Sequence, residues 1–237
     1  MHVRVEALLQ NQIYLEKRNE IMSTPVILGI NIVILVVLGI VAKTVKSEPS
    51  TKGGFNFSYT TSDLVIMAVL GALAGVINTW MGNVWYAANT VSPIYGAALQ
   101  GTFMWAYILA YFLVRKSGSM LIIGIIEASV EALLGNQAGL STLGWGISQG
   151  LGAEIVMAFC MYSKFGWLAL GLAGAGASQF GTVWSFILYG WSSLNDDLIA
   201  APINLISGFI FSGLLGYFLG TMIANTGLLR ATRRGAE

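Results

Sequence analysis

The sequence predicts an all-α membrane protein, a six-helix bundle preceded by an extra N-terminal hydrophobic helix. Three observations lead there. Hydrophobic residues make up 56% of the chain and charged residues 10%, against about 25% charged in soluble domains, and mean hydropathy is +0.73. The apolar residues gather in runs near the ~20 needed to cross hydrocarbon. These runs lack the polar alternation of barrel strands, so helices are the one way to satisfy their backbone in lipid. Finally, Lys and Arg fall in alternate loops. No room is left for a soluble domain, and no nucleic-acid partner is expected.

Residues 1–24 mix charge with apolar positions (Arg4, Glu6, Glu16, Lys17, Arg18, Glu20) and read as an amphipathic tail. Residues 25–42 form an apolar run with no small-residue cleavage site after it, so an uncleaved helix is expected rather than a signal peptide. Residues 43–62, with Pro49, Gly53 and Gly54 among Ser, Thr and Lys, form a polar linker. The substrate-binding core is placed at 63–228, with spans near Leu64–Met81, Ile94–Val114, Met120–Leu134, Gly146–Tyr162, Phe165–Tyr189 and Leu198–Ala224. A basic tail, 229–237, closes the chain.

Lys43, Lys46, Lys52, Arg115, Lys116, Lys164, Arg230, Arg233 and Arg234 all fall in one set of connections, while the loops around Asn83, Gln137 and Asn195 carry no Lys or Arg. The positive-inside rule then puts both ends of the core, and the C-terminus, in the cytoplasm. If residues 25–42 also span, the N-terminal tail lies outside, against that rule.

Glycine is frequent, with 29 residues, and several pairs have the small-xxx-small spacing that lets helix backbones approach closely: Ala68 with Ala72, Gly71 with Gly75, Gly146 with Gly150, and Gly216 with Gly220. Packing within the bundle explains any single pair. On the first core helix, Ala68, Gly71, Ala72 and Gly75 form a longer stripe suited to a docking partner.

Three glutamates, Glu127, Glu131 and Glu154, lie in apolar segments, where a carboxylate is costly unless it faces a partner or a wet cavity. Counting about 1.5 Å per residue from the helix ends puts Asn78, Gln100, Glu131, Gln149, Gln179 and Asn204 at one depth, with Glu127 and Glu154 a turn deeper and level with each other. One buried amide needs only an interhelical hydrogen bond; five amides and a carboxylate at one depth suggest a cavity. Five of the seven tryptophans, Trp80, Trp85, Trp145, Trp184 and Trp191, fall near the face away from the basic loops. An aromatic belt accounts for part of this. The asymmetry favours an aromatic-lined pocket for a flat, polar, cationic small molecule, with Asn83 and Tyr86 in the same stretch.

The chain has no GxxxxGK[ST] phosphate loop, no HExxH, no GxSxG and a single cysteine, Cys160, which reads as a buried structural thiol. Its one histidine, His2, is terminal. No enzyme, metal site or cofactor is expected, and energy for transport must come from an ion gradient or from partner subunits.

The run from Glu131 through Gly135, then Trp145-Gly146, Gln149-Gly150-Leu151-Gly152-Ala153-Glu154 and Tyr162 resembles the YkoE-type substrate-binding (S) components of energy-coupling factor (ECF) transporters. The opening Asp63-Leu-Val-Ile-Met-Ala68 through Trp80 is similar too. The resemblance implies an S-component-like six-helix bundle that takes up thiamine or its hydroxymethylpyrimidine precursor. It also implies docking, through small residues of the first core helix, to a T-component membrane protein with two ABC-type ATPase subunits. By motif position Glu131, Trp145, Gln149 and Glu154 are expected to contact ligand; Trp80 or Trp85 would stack on its ring, and Glu127 is the acid expected to be structural. Residues 1–62 have no counterpart in the resemblance, and the stretch from Gly135 to Gly146 is longer than the usual link. Two other readings stay open at this stage. One is a stand-alone proton-coupled carrier with Glu127 and Glu154 as its relay; the other is a structural membrane subunit.

Overall fold

A computed structural model of the chain describes residues 25–46, 53–189 and 194–226. The amphipathic tail, the basic tail, Lys52 and Trp191 lie outside the described residues. Among those described there are helices and turns and no strands.

The N-terminal hydrophobic segment is a helix, α1 (Pro25–Thr44). The core follows as α2 (Thr61–Val91), α3 (Pro93–Gln100), α4 (Trp105–Val114), α5 (Ser119–Leu133), α6 (Thr142–Phe159), α7 (Trp167–Tyr189), α8 (Leu194–Ser207) and α9 (Leu215–Asn225). A 3-10 turn, Gly101–Phe103, joins α3 to α4, and a π-helical segment, Gly208–Leu214, joins α8 to α9. Each joined pair makes one path through the bundle, which gives the six expected core helices plus the extra one. By length and apolar composition, Pro25–Thr44, Thr61–Val91, Pro93–Val114 and Ile199–Asn225 suffice to cross a membrane. α5, with 15 residues, is shorter than a full span.

Local chemistry sets the boundaries. A capping box opens α2: Thr60 Oγ1 accepts from the Asp63 N–H, and the Asp63 carboxylate accepts from the Thr60 N–H at 2.9 Å. α2 then runs on past Met81 to Val91, through the stretch around Asn83 that the sequence suggested was loop. At about 1.5 Å per residue its 31 residues exceed the ~30 Å hydrocarbon core. Ser92 caps α3 with Pro93 in its first turn.

The break after Gln100 follows from crowding against the α8–π path. A Cβ on Gly101 would lie 2.1 Å from the Ser207 carbonyl oxygen. Instead the Gly101 N–H donates to Ser207 Oγ (2.9 Å), and Ser212 Oγ donates to the Met104 carbonyl (3.0 Å). α4, apolar all round, is buried along nearly its whole length.

α5 packs between α2 and α6, and α7 between α6 and the α8–α9 path. The α5–α6 crossing is backbone on backbone: a Cβ on Gly146 would meet the Gly124 carbonyl oxygen at 2.2 Å, and one on Gly150 would meet Leu121. Gly216 and Gly220 likewise face Ile108 and Phe112 of α4. The stripe on α2 divides. Gly71 and Gly75 are buried against Ile126 and Val130 of α5, while Ala68 and Ala72 are exposed. It is therefore not one docking face, because half of it is taken up inside the bundle.

α1 lies on α6 and α7. Buried Asn31 accepts from Gln179 Nε2 (2.7 Å) and Thr182 Oγ1 (3.3 Å), and Lys164 Nζ donates to the Val45 carbonyl (2.8 Å). The Gly54 N–H donates to Met161 O (2.7 Å), and the Ser117 N–H donates to Asn56 O (2.9 Å). These bonds gather the ends of α1, α4 and α6 with Lys43, Arg115, Lys116 and Lys164 at one basic end of the bundle.

Candidate functional site

The cavity opens toward the end away from these basic residues. About 440 Å³ of empty space, counting the part that opens outward, lies between α2, α3, α5 and α6.

α5 supplies both acids. Glu127 and Glu131 are four residues apart, hence on one face of the helix, and both are buried and line the cavity. Glu127 lies deeper. Its Oε1 accepts from Asn78 Nδ2 of α2 and its Oε2 from the Tyr107 hydroxyl of α4. The same hydroxyl is 3.2 Å from Gln149 Oε1 of α6. A phenol has one proton to give; it goes to the carboxylate, and the contact with Gln149 is favourable when its amide presents NH₂ to the phenol oxygen. Nearer the mouth, Glu131 Oε2 accepts from Asn136 Nδ2 at 2.7 Å.

The walls are aromatic and amide. Trp85 donates its indole N–H to Gly96 O (3.0 Å), and Trp145 donates to Ser185 Oγ (2.8 Å), so both rings are fixed at their polar edge. Their centroids are 6.5 Å apart, and Tyr86 stands edge-on to Trp85 at 5.2 Å. Gln100 from α3 and Gln149 from α6 both line the space, near Gly181 of α7. Thr142 Oγ1, buried in the lining, has no hydrogen-bond partner.

Seven of the ten binding residues expected from sequence thus meet in one cavity: Trp85, Tyr86, Gln100, Glu127, Glu131, Trp145 and Gln149. The other three stand elsewhere. Trp80 is 76% exposed on the outer face of α2. Asn83, exposed on α2 next to Gly82 of the lining, accepts from Gln137 Nε2 (2.9 Å) of the loop above.

Glu154 is at the basic end. Its carboxylate accepts from the N–H groups of Gly118 (3.0 Å) and Met120 (2.8 Å) and from the Tyr162 hydroxyl (2.5 Å). α5 has no N-cap side chain of its own, and Glu154 serves that purpose from α6, a carboxylate at a helix N-terminus. Nearby, burial and the charges of Glu154 and Asp63 push the Tyr59 hydroxyl up to about 12; it donates to the Ser117 carbonyl at 2.6 Å.

The single ring of amides is therefore corrected as well. Gln149 shares a phenol with Glu127, Gln179 turns to α1, and Glu154 is level with the start of α5 rather than with Glu127. The depth count failed because α6 begins at Thr142, a turn earlier than the hydrophobic run suggested. Sequence reasoning also missed Tyr107, Asn136 and Thr142. Tyr107 did leave a signal, since a hydroxyl inside an apolar span needs a partner. The other two sat in a stretch read only as loop.

A membrane helical bundle with a polar, aromatic-walled cavity at the end away from its basic residues has the architecture of a small-molecule binding subunit. The comparisons agree. A family model described as the permease component of an ABC-type cobalt transport system matches residues 62–180. The putative HMP/thiamine permease protein YkoE of Bacillus subtilis (strain 168) is 34% identical over 185 residues, spanning 76% of this chain and 92% of that protein. A crystal structure of an S-component of an ECF transporter matches with a TM-score of 0.68 at 34% identity, over 73% of this chain and 90% of the other. The chain belongs to the S-component family of ECF transporters: it is a multi-pass membrane protein and a transporter component, not an enzyme.

Proposed function

We propose that the chain captures thiamine or hydroxymethylpyrimidine from the outside and hands it on through a T-component membrane protein driven by two ABC-type ATPase subunits. The observation that carries the reading is the pairing of Glu127 and Glu131 on one cavity face with Gln100, Gln149 and the Trp85–Trp145 wall. An aminopyrimidine offers a flat ring for Trp145 or Trp85, an amino group for a carboxylate, and ring nitrogens for the amides; a thiazolium adds a cation for the aromatic faces. The name of the B. subtilis relative points the same way.

Among the described residues the cavity lining contains no histidine or cysteine, which fits an organic ligand better than a cobalt ion favouring nitrogen and sulfur donors. Proton relay between Glu127 and Glu154 gains no support, since Glu154 is engaged at the far end of α5. The basic end would face the cytoplasm and the cavity the outside, with the C-terminus inside. Residues 63–228 would form the binding core, and α1 an addition upon it.

The test is titration of purified protein with thiamine and with hydroxymethylpyrimidine, followed by tryptophan fluorescence and calorimetry. Saturable binding of either, weakened at least tenfold by Glu131→Ala, is expected. Binding of neither, or binding untouched by Glu131→Ala and Gln149→Ala, would refute the assignment.

A further inference from the structure

We propose that Asn136 is a positioning residue for ligand capture, holding the Glu131 carboxylate in place from the loop above the cavity. The proposal rests on the reading of Glu131 as a ligand-binding carboxylate. Asn136 follows Gly135, whose φ of +85° turns the chain back over the end of α5. Its backbone N–H donates to the Glu131 carbonyl at 3.1 Å, and its side chain then folds onto the same residue.

The side chain works in one orientation only. Asn136 Oδ1 accepts from the Ala138 N–H at 2.9 Å, and Nδ2 donates to Glu131 Oε2 at 2.7 Å. A backbone N–H can only donate, so the oxygen is fixed on Ala138 and the NH₂ is directed to the carboxylate. Gly82 of α2 encloses the far side: a Cβ there would come within 3.0 Å of Nδ2.

The terminal torsion of a glutamate is otherwise broad. With Oε2 held, an incoming donor meets a carboxylate already oriented, and less freedom is lost on binding.

The experiment uses the full chain in detergent, titrated with thiamine and hydroxymethylpyrimidine. Asn136→Asp keeps the acceptor for Ala138, so the turn survives, but sets a carboxylate against Glu131 in place of the donor. At least a tenfold loss of affinity is expected, with a cooperative melting transition retained. Asn136→Ala should cost several-fold in the parent protein and less than twofold further in Glu131→Ala, since a positioning residue has nothing left to position.

A residue that merely shapes the loop would behave otherwise. Asn136→Asp would then bind as the parent does, and Asn136→Ala would cost the same in both backgrounds; either result overturns the proposal. If the parent protein binds neither compound, the reading beneath it fails instead.

Discussion

Asn78 of α2 and Glu127 of α5 are joined at the deep end of the cavity, and the same Asn78 nitrogen also donates to the Phe103 carbonyl at 2.8 Å. Phe103 closes the 3-10 turn between α3 and α4, where the Tyr107 N–H donates to Met104 instead. The break in one span thus exposes a carbonyl that Asn78 satisfies, and one amide ties together α2, α5 and the broken path.

Replacing Asn78 with Ala leaves a buried carboxylate short of a donor and a buried carbonyl without one. Each unsatisfied group costs about 1–3 kcal/mol. A drop in the unfolding midpoint of purified protein is therefore expected, together with weaker ligand binding as Glu127 loses its orientation. Asn78→Asp should be worse than Asn78→Ala, because it places a second carboxylate against Glu127. A ranking by intrinsic fluorescence melts checks both.

Glu131 and Glu154 separate binding from stability. Glu131→Gln keeps the shape but replaces one carboxyl oxygen, an acceptor for a ligand amino group, with an NH₂ that can only donate. It should lower affinity roughly tenfold, about 1.4 kcal/mol, with little change in melting. Glu154→Ala deprives the Gly118 and Met120 N–H groups and the Tyr162 hydroxyl of their acceptor. It should lower the melting midpoint clearly, while protein that remains folded binds within a few-fold of the parent. The reverse pattern would return Glu154 to the cavity.

The helix content and the six-span core were legible because apolar runs and alternating basic loops report directly on lipid. Most of the cavity was legible too, since amides and acids inside apolar runs require partners. What the sequence hid was rotation and register. Glu154 and Glu127 carry the same chemistry at similar apparent depth, and only the true start of α6 at Thr142 shows that they lie at different levels. Trp80 was expected at the end of a span and Trp85 in the loop beyond it; continuation of α2 through both puts them on different faces. Asn136 depended on a turn whose geometry no periodicity encodes.

The α5–α6 crossing yields a prediction about packing. With Gly146 and Gly124 in backbone contact, Gly146→Ala pushes apart the two helices that carry Glu127, Glu131, Trp145 and Gln149. Overpacking of this kind costs about 1–3 kcal/mol. The loss of affinity should exceed that of Gly54→Ala, where a Cβ meets nothing within 4 Å. Strain at Gly54, whose φ is +128°, is local to the linker. Comparing the two by ligand titration and melting separates cavity geometry from general backbone strain.

The division of the α2 stripe makes the docking proposal testable position by position. Ala68 and Ala72 are exposed, among exposed Leu64, Val65, Val69 and Leu73, whereas Gly75 lies against Val130 and the Glu127 carbonyl. A bulky side chain at Ala72 meets no part of the bundle. Ala72→Trp should therefore leave ligand affinity within about twofold, since exposed sites away from special features shift little. It should nevertheless abolish copurification with the T component, whose helix would need close approach there. Gly75→Leu drives a side chain into the backbone of Glu127, so affinity and melting should both fall before any partner is added. Retained assembly by Ala72→Trp, measured by pulldown of the T component from co-expressing membranes, would move the docking surface off α2.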